Sequence, residues 1–183
     1  MAATPRLTLH ATQALAAKIG GFDAVGSEDA PADREHPLDR WYANVIRRRK
    51  PRVIAINPST LYVVVLALAP AATLARRLPD AIAETLRARG VPEGFIGDVV
   101  DPLRGGARVV RTDDRSLVGI MNERSRHMGY FAPETDDDWF AIAMQASETP
   151  LLQGVVGEYA VDRMFALVSA WEDEVEAQND WQG

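Results

Sequence analysis

The chain contains no cysteine. Disulfide frameworks, cysteine-ligated metals and thiol catalysis are therefore excluded, and a reducing compartment is compatible with the composition. Long apolar runs are missing too. The longest, Leu61 to Ala72, is interrupted by Pro70, whereas a spanning helix needs about 20 apolar residues. No membrane segment is expected. Met1 to Arg6 lacks the apolar core of a secretion signal. In Asn57-Pro58-Ser59 the proline blocks glycosylation, and the expected location is the cytoplasm. Histidine is scarce: His10, His36 and His127 are far apart, and none has a second histidine at metal-ligand spacing. Neither the phosphate-binding Gly-x-x-x-x-Gly-Lys, nor the Gly-x-Ser-x-Gly elbow, nor a dinucleotide-binding glycine turn occurs. No metal and no cofactor is expected. Asp136-Asp137-Asp138 has the chemistry to hold a hard cation, although such runs are more often solvated turns.

What is present fits one ordinary domain. The 183 residues are 47% hydrophobic and 25% charged, and a chain of this size buries roughly 70% of its unfolded surface without staples. A single domain over residues 1–183 is expected, with a mobile loop near 21–38 and an acidic tail fraying near 176–183. The net charge is −6, which argues against wholesale nucleic-acid binding. The distribution is uneven, however. Arg40, Arg47, Arg48, Arg49, Lys50 and Arg52 crowd one segment, while Glu172, Asp173, Glu174, Glu176 and Asp180 crowd another.

Alternation over Arg6 to His10 predicts a first strand. Thr12 is placed to cap a helix ending at Gly20-Gly21. After a polar connection, strands are expected at Trp41–Arg48, Arg52–Asn57 and Leu61–Leu68, joined by short turns and therefore antiparallel. Pro79 reads as the first position of a helix to Arg89, and Pro92 as the start of another to about Asp101. Arg108–Thr112 reads as a strand, and Asp113 as the cap of a helix to about Met128. Phe140, Ile142 and Met144 alternate with small or polar residues, so Trp139–Ser147 is read as a strand. Val161, Met164, Phe165, Val168, Trp171 and Val175 keep helical spacing and predict an amphipathic last helix. The expected fold is α+β: a mostly antiparallel sheet of five to six strands against about five helices.

Four segments carry a resemblance. Leu7-Thr8-Leu9-His10-Ala11-Thr12, Trp41-Tyr42-Ala43-Asn44, Arg115-Ser116-Leu117-Val118-Gly119-Ile120-Met121-Asn122 and Glu148-Thr149-Pro150 resemble, in order and spacing, a family of small bacterial proteins known only as a domain of unknown function. The resemblance implies an α+β fold and no established activity. The family often has cysteine where Ala11 stands and histidine where Tyr42 stands, so a role needing either side chain is lost here.

Two functional readings follow. The first is a small non-catalytic interaction or regulatory module, binding another protein or a second copy of itself. Its basis is the lack of a catalytic set beside two oppositely charged segments. The second is a nucleic-acid-binding or processing protein. In it the basic hairpin at residues 47–52 (Arg47, Arg48, Arg49, Lys50) grips phosphate, and Trp41 with Tyr42 stacks on bases. His10 then serves as acid or base, with Asn44 and Arg115 stabilising charge. Arg115, Gly119, Asn122 and Arg126 share one helical face. A glycine there costs about 1 kcal/mol relative to alanine, which close packing or a ligand would explain. The plainer readings are a charged edge that discourages aggregation, a buried structural Asn44 and a core Trp41.

Overall fold

A computed structural model describes residues 6–23, 36–131, 139–149 and 159–180. Five strands form one mixed sheet in the order β4-β3-β2-β1-β5: β1 (Leu7–Ala11), β2 (Arg40–Ile46), β3 (Arg52–Ile56), β4 (Val63–Ala67) and β5 (Ala107–Arg111). The pairs β2–β3 and β3–β4 are antiparallel, as their short turns require. The pairs β1–β2 and β1–β5 are parallel, because longer crossovers connect them. The fold is α+β with about six helices, and the sheet is evenly mixed rather than mostly antiparallel.

Period-two alternation sends each strand's side chains to two faces. Leu7, Leu9, Ala11, Trp41, Ala43, Val53, Ala55 and Val64 enter one core. There they meet α1 (Gln13–Ile19), α2 (Leu74–Ala88), residues 93–105 and α6 (Ala160–Asp180). The segment 93–105 opens as the short α3 (Glu93–Phe95), widens over Ile96–Val100 and tightens over Asp101–Gly105. Phe95 meets Trp171 of α6 edge to face, with ring centroids 5.6 Å apart. On the other face Tyr42, Ile46, Ile54, Ile56 and Val63 pack under α4 (Arg115–Phe131) and α5 (Trp139–Ser147). Both faces of the central strands are thus covered, as a continuous apolar run such as Tyr62–Leu66 demands.

Two expectations are corrected. Trp139–Ser147 is the helix α5, not a strand. Its buried residues are Trp139, Ile142, Ala143, Ala146 and Ser147, which is helical spacing. The alternating set includes Phe140, which is exposed. Alanine content and the single covered side favour the helix. The helix also supplies the Ser147 hydroxyl, which accepts a hydrogen bond from the backbone N–H of Val63 at the sheet edge. The second correction concerns α2, which begins at Leu74 with Pro79 inside it. Leu74, Leu78 and Ile82 form one buried stripe. Burying each is worth roughly 2 kcal/mol, enough together to outweigh an interior proline at about 3 kcal/mol.

The entry to β2 is held by a turn at Pro37–Asp39. The Nδ1 of His36 accepts from the Leu38 N–H, and the Asp39 carboxylate accepts from the His36 N–H. That cap requires an unprotonated Nδ1, and burial lowers the His36 pKa, against the charge of Asp39. The expected loop near 21–38 falls mostly on residues outside the described ones. Gly21–Asp23 lie within them, and Asp23 exchanges hydrogen bonds with Val109 of β5. The helix α6 runs through Asp180. Among the described residues no helix is long and apolar enough to cross a membrane.

Candidate functional site

Because β1, β2 and β5 are parallel, their carboxyl ends share one edge of the sheet. There β1 leads into α1 on one face, while β5 leads into α4 on the other. Adjacent strands whose connections depart to opposite faces open a crevice at their carboxyl ends, the place where open α/β sheets commonly bind ligands.

Three of the four sequence motifs meet at this edge. His10 of β1 stands beside Tyr42 of β2, and their rings stack with centroids 4.3 Å apart. Asp113, just past β5, bridges the pair. Its Oδ1 accepts from the Tyr42 hydroxyl at 3.0 Å and lies 3.6 Å from His10 Nδ1. Burial, followed by the bond to Asp113, pushes the Tyr42 pKa up to about 12. Tyr42 is therefore a fixed donor at physiological pH. The same bond is the main cause holding the Asp113 carboxyl below its usual range.

A second relay adjoins the first. The Thr12 hydroxyl donates to Asn44 Oδ1 at 2.7 Å, and the Val45 N–H donates to the same oxygen. Asn44 Nδ2 then donates to Asn122 Oδ1 of α4 at 3.0 Å. This chain fixes the amide of Asn122 with its oxygen toward the sheet, which leaves the Nδ2 hydrogens to face solvent.

Asp114, not Asp113, caps α4, accepting from the N–H groups of Ser116 and Leu117. This corrects the expected cap and is what frees Asp113 for the site. Of the catalytic candidates, His10 and Asn44 lie on the same sheet face. Arg115 is exposed on the face of α4 that carries Asn122 and forms no described hydrogen bond to either. Arg47, Arg48, Arg49 and Lys50 are exposed at the turn after β2, at this same edge. Trp41 is not part of the surface. It is fully buried on the opposite face, and its indole N–H donates to Leu38 O at 2.8 Å. Base stacking through Trp41 is thereby corrected to a core role. Asn57 is buried just past β3, next to Ile56, the register partner of Tyr42, but its side chain bonds the entry of β2 and the β3–β4 turn rather than the cluster. Asp136, Asp137 and Asp138 lie outside the described residues. Among the described residues no group of three or more His, Asp or Glu is placed to hold a metal.

The positions where this chain departs from its resemblance separate in space. Ala11 points into the opposite core, while Tyr42 stands in the cluster. The sequence reading missed Thr12 and Asp113 as members of the site because each had an adequate local role as a cap. The aspartate doublet was the available signal, since one helix needs one cap.

Close packing does not explain Gly119: among the described residues nothing lies within 4 Å of a β-carbon placed there. Gly119→Ala is therefore expected to raise stability by up to about 1 kcal/mol, read as a higher urea midpoint with an unchanged slope. A lower midpoint would mean the position is constrained.

No match was found among curated proteins or among solved structures. Residues 8–159 match the model of a family described as a domain of unknown function (DUF6933), and the chain belongs to that family.

Proposed function

We propose that the protein is a non-catalytic binding module whose working surface is the carboxyl edge of the sheet, and that its partner is anionic. One observation carries this reading. In a chain of net charge −6, Arg47, Arg48, Arg49, Lys50, Arg111, Arg115 and Arg126 are exposed along one edge and the adjoining face of α4. They surround a relay whose outermost group, the Asn122 amide, offers donors. The acidic end of α6 belongs to the other end of the molecule, where the charge of Glu174 acts on His36 at the entry to β2. Such segregation concentrates an attractive field for anions that the net charge conceals.

A binding role fits better than acid–base catalysis by His10. The ring is stacked against Tyr42 with its side chain 13% exposed, and Arg115 is not brought against it.

Binding of heparin, a model polyanion, across a salt series tests the reading. The double variant Arg47→Glu/Arg49→Glu is expected to lose at least tenfold in affinity, with the wild-type affinity falling steeply with salt. Arg76→Glu, the same charge change on the exposed side of α2, is the control and is expected to have little effect. Equal losses from both variants would overturn the proposal. Light scattering at low salt separates the competing outcome, head-to-tail contact between the basic edge and the acidic α6 of a second copy.

A further inference from the structure

The face of α4 that carries Asn122 and Arg126 continues to Gly129 and Tyr130, beyond the helix end the sequence suggested. At about 100° per residue, Arg115, Gly119, Asn122, Arg126, Gly129 and Tyr130 fall within one arc roughly 100° wide. The helix lies alongside the end of β2 and the basic turn. Asn122 meets Asn44. Farther on, the Arg48 guanidinium occupies the place where a β-carbon on residue 129 would stand. The tip of Arg48 thus lies against the bare helix at Gly129, which places the basic turn beside α4. Immediately beyond Gly129, Tyr130 is 79% exposed, the most exposed of the large hydrophobic side chains among the described residues. Residues 115–130 span about 22 Å of helix.

We infer that this seam binds single-stranded nucleic acid, with Arg48, Arg115 and Arg126 taking backbone phosphates, the Asn122 amide donating to phosphate or base, and Tyr130 providing the surface on which a base stacks. The inference rests on the binding reading above and names its partner. The chemistry favours nucleic acid over an acidic protein for two reasons. Guanidinium groups grip phosphate oxygens bidentately. A solvated aromatic beside them gives a carboxylate nothing but gives a base a π face. Trp41 and Tyr42, the aromatics first expected to stack, are turned inward, and Tyr130 takes their place. The bare helix at Gly119 leaves room for a strand to pass close to the backbone.

The test is fluorescence anisotropy with labelled RNA and DNA oligonucleotides of about 12 nucleotides, within the usual site size of such proteins, at low and moderate salt. A glutamate-rich peptide of similar charge serves as a second probe. Both oligonucleotides, or RNA alone, are expected to bind, more weakly as salt rises. Arg48→Glu and Arg126→Glu should each lower affinity at least tenfold. Tyr130→Ala should lower it about tenfold and Tyr130→Trp should restore it, all with unchanged melting, because these side chains are exposed. Binding of the peptide but not the oligonucleotides, with the same arginine dependence, would overturn this inference and keep the anionic-partner reading. Oligonucleotide binding indifferent to Tyr130→Ala would overturn the stacking role and with it the inference. Binding of no probe would overturn both.

Discussion

Asn57→Ala is expected to lower stability by about 3–4 kcal/mol, near the top of the range for single substitutions. Asn57 is fully buried. Its Nδ2 donates to the carbonyls of Pro37 and Arg40, at 2.7 and 3.1 Å. Its Oδ1 accepts from the N–H groups of Ser59 and Thr60 and from the Thr60 hydroxyl. One side chain thus ties the β3–β4 turn to the entry of β2. Removing it unpairs all of these groups at once, among them the N–H and hydroxyl of the buried Thr60, at roughly 1–3 kcal/mol for each buried group left without a partner. For a chain of this length, 1 kcal/mol is worth about 2–4 °C, so the melting temperature should fall by about 10 °C. Asn57→Asp separates the hydrogen-bonding cause from side-chain volume. One oxygen of the aspartate keeps the donors of Ser59 and Thr60, but the other is repelled by two carbonyls in a fully buried site, and burial with that repulsion raises its folded pKa. The variant should be weakest at neutral pH and recover as pH falls toward 4. Thermal melts across pH check both variants, and a drop below about 1 kcal/mol for Asn57→Ala would refute the role.

Trp41→Ala is expected to cost about 3–5 kcal/mol, the range for emptying a large buried aromatic site. Trp41 is fully buried between the sheet and its covering helices, and its one polar atom is bonded to Leu38 O. Trp41→Phe keeps most of the volume but leaves that carbonyl unpaired, so a loss of about 1–2 kcal/mol is expected. Both variants should bind polyanions as the wild type does wherever they are folded. Urea unfolding together with the heparin assay decides this. Weakened binding in a Trp41→Phe protein of wild-type stability would return Trp41 to the binding surface.

Much of the architecture was legible because it is written in local periodicity. The alternation at Arg6–His10, the β-branched run at Tyr62–Val65 and the helical spacing from Val161 to Val175 each state an element and its inward face. The antiparallel hairpins followed from turns too short to allow anything else. Two segments misled for a physical reason. In Trp139–Ser147 the large-small alternation and the helical spacing coexist in nine residues, and only the presence of a single covering surface selects between them. At Pro79 the local preference for a helix start was overridden by the apolar stripe from Leu74 to Ile82.

The candidate site was legible only in part. His10 and Asn44 stood out as polar residues on the early strands, Asn122 as a member of one polar helix face, and the basic turn as a charge run. Their convergence was not, since the contacts span 32 residues from Thr12 to Asn44 and 78 from Asn44 to Asn122. Nor could parallel pairing of β1 with both β2 and β5 be inferred from alternation, which states a strand's faces but not its neighbours. Tyr130 passed unnoticed because the helix was expected to end near Met128, whereas α4 runs through Phe131.

Composition and spacing were enough to establish a cysteine-free α+β chain, its apolar faces and its opposed charges, because each depends on residue type and near neighbours along the chain. Which strands lie side by side, which aromatic is buried and which arginines share an edge depended on long-range packing. Those choices balance burial over the whole molecule, a sum that no local stretch of residues contains.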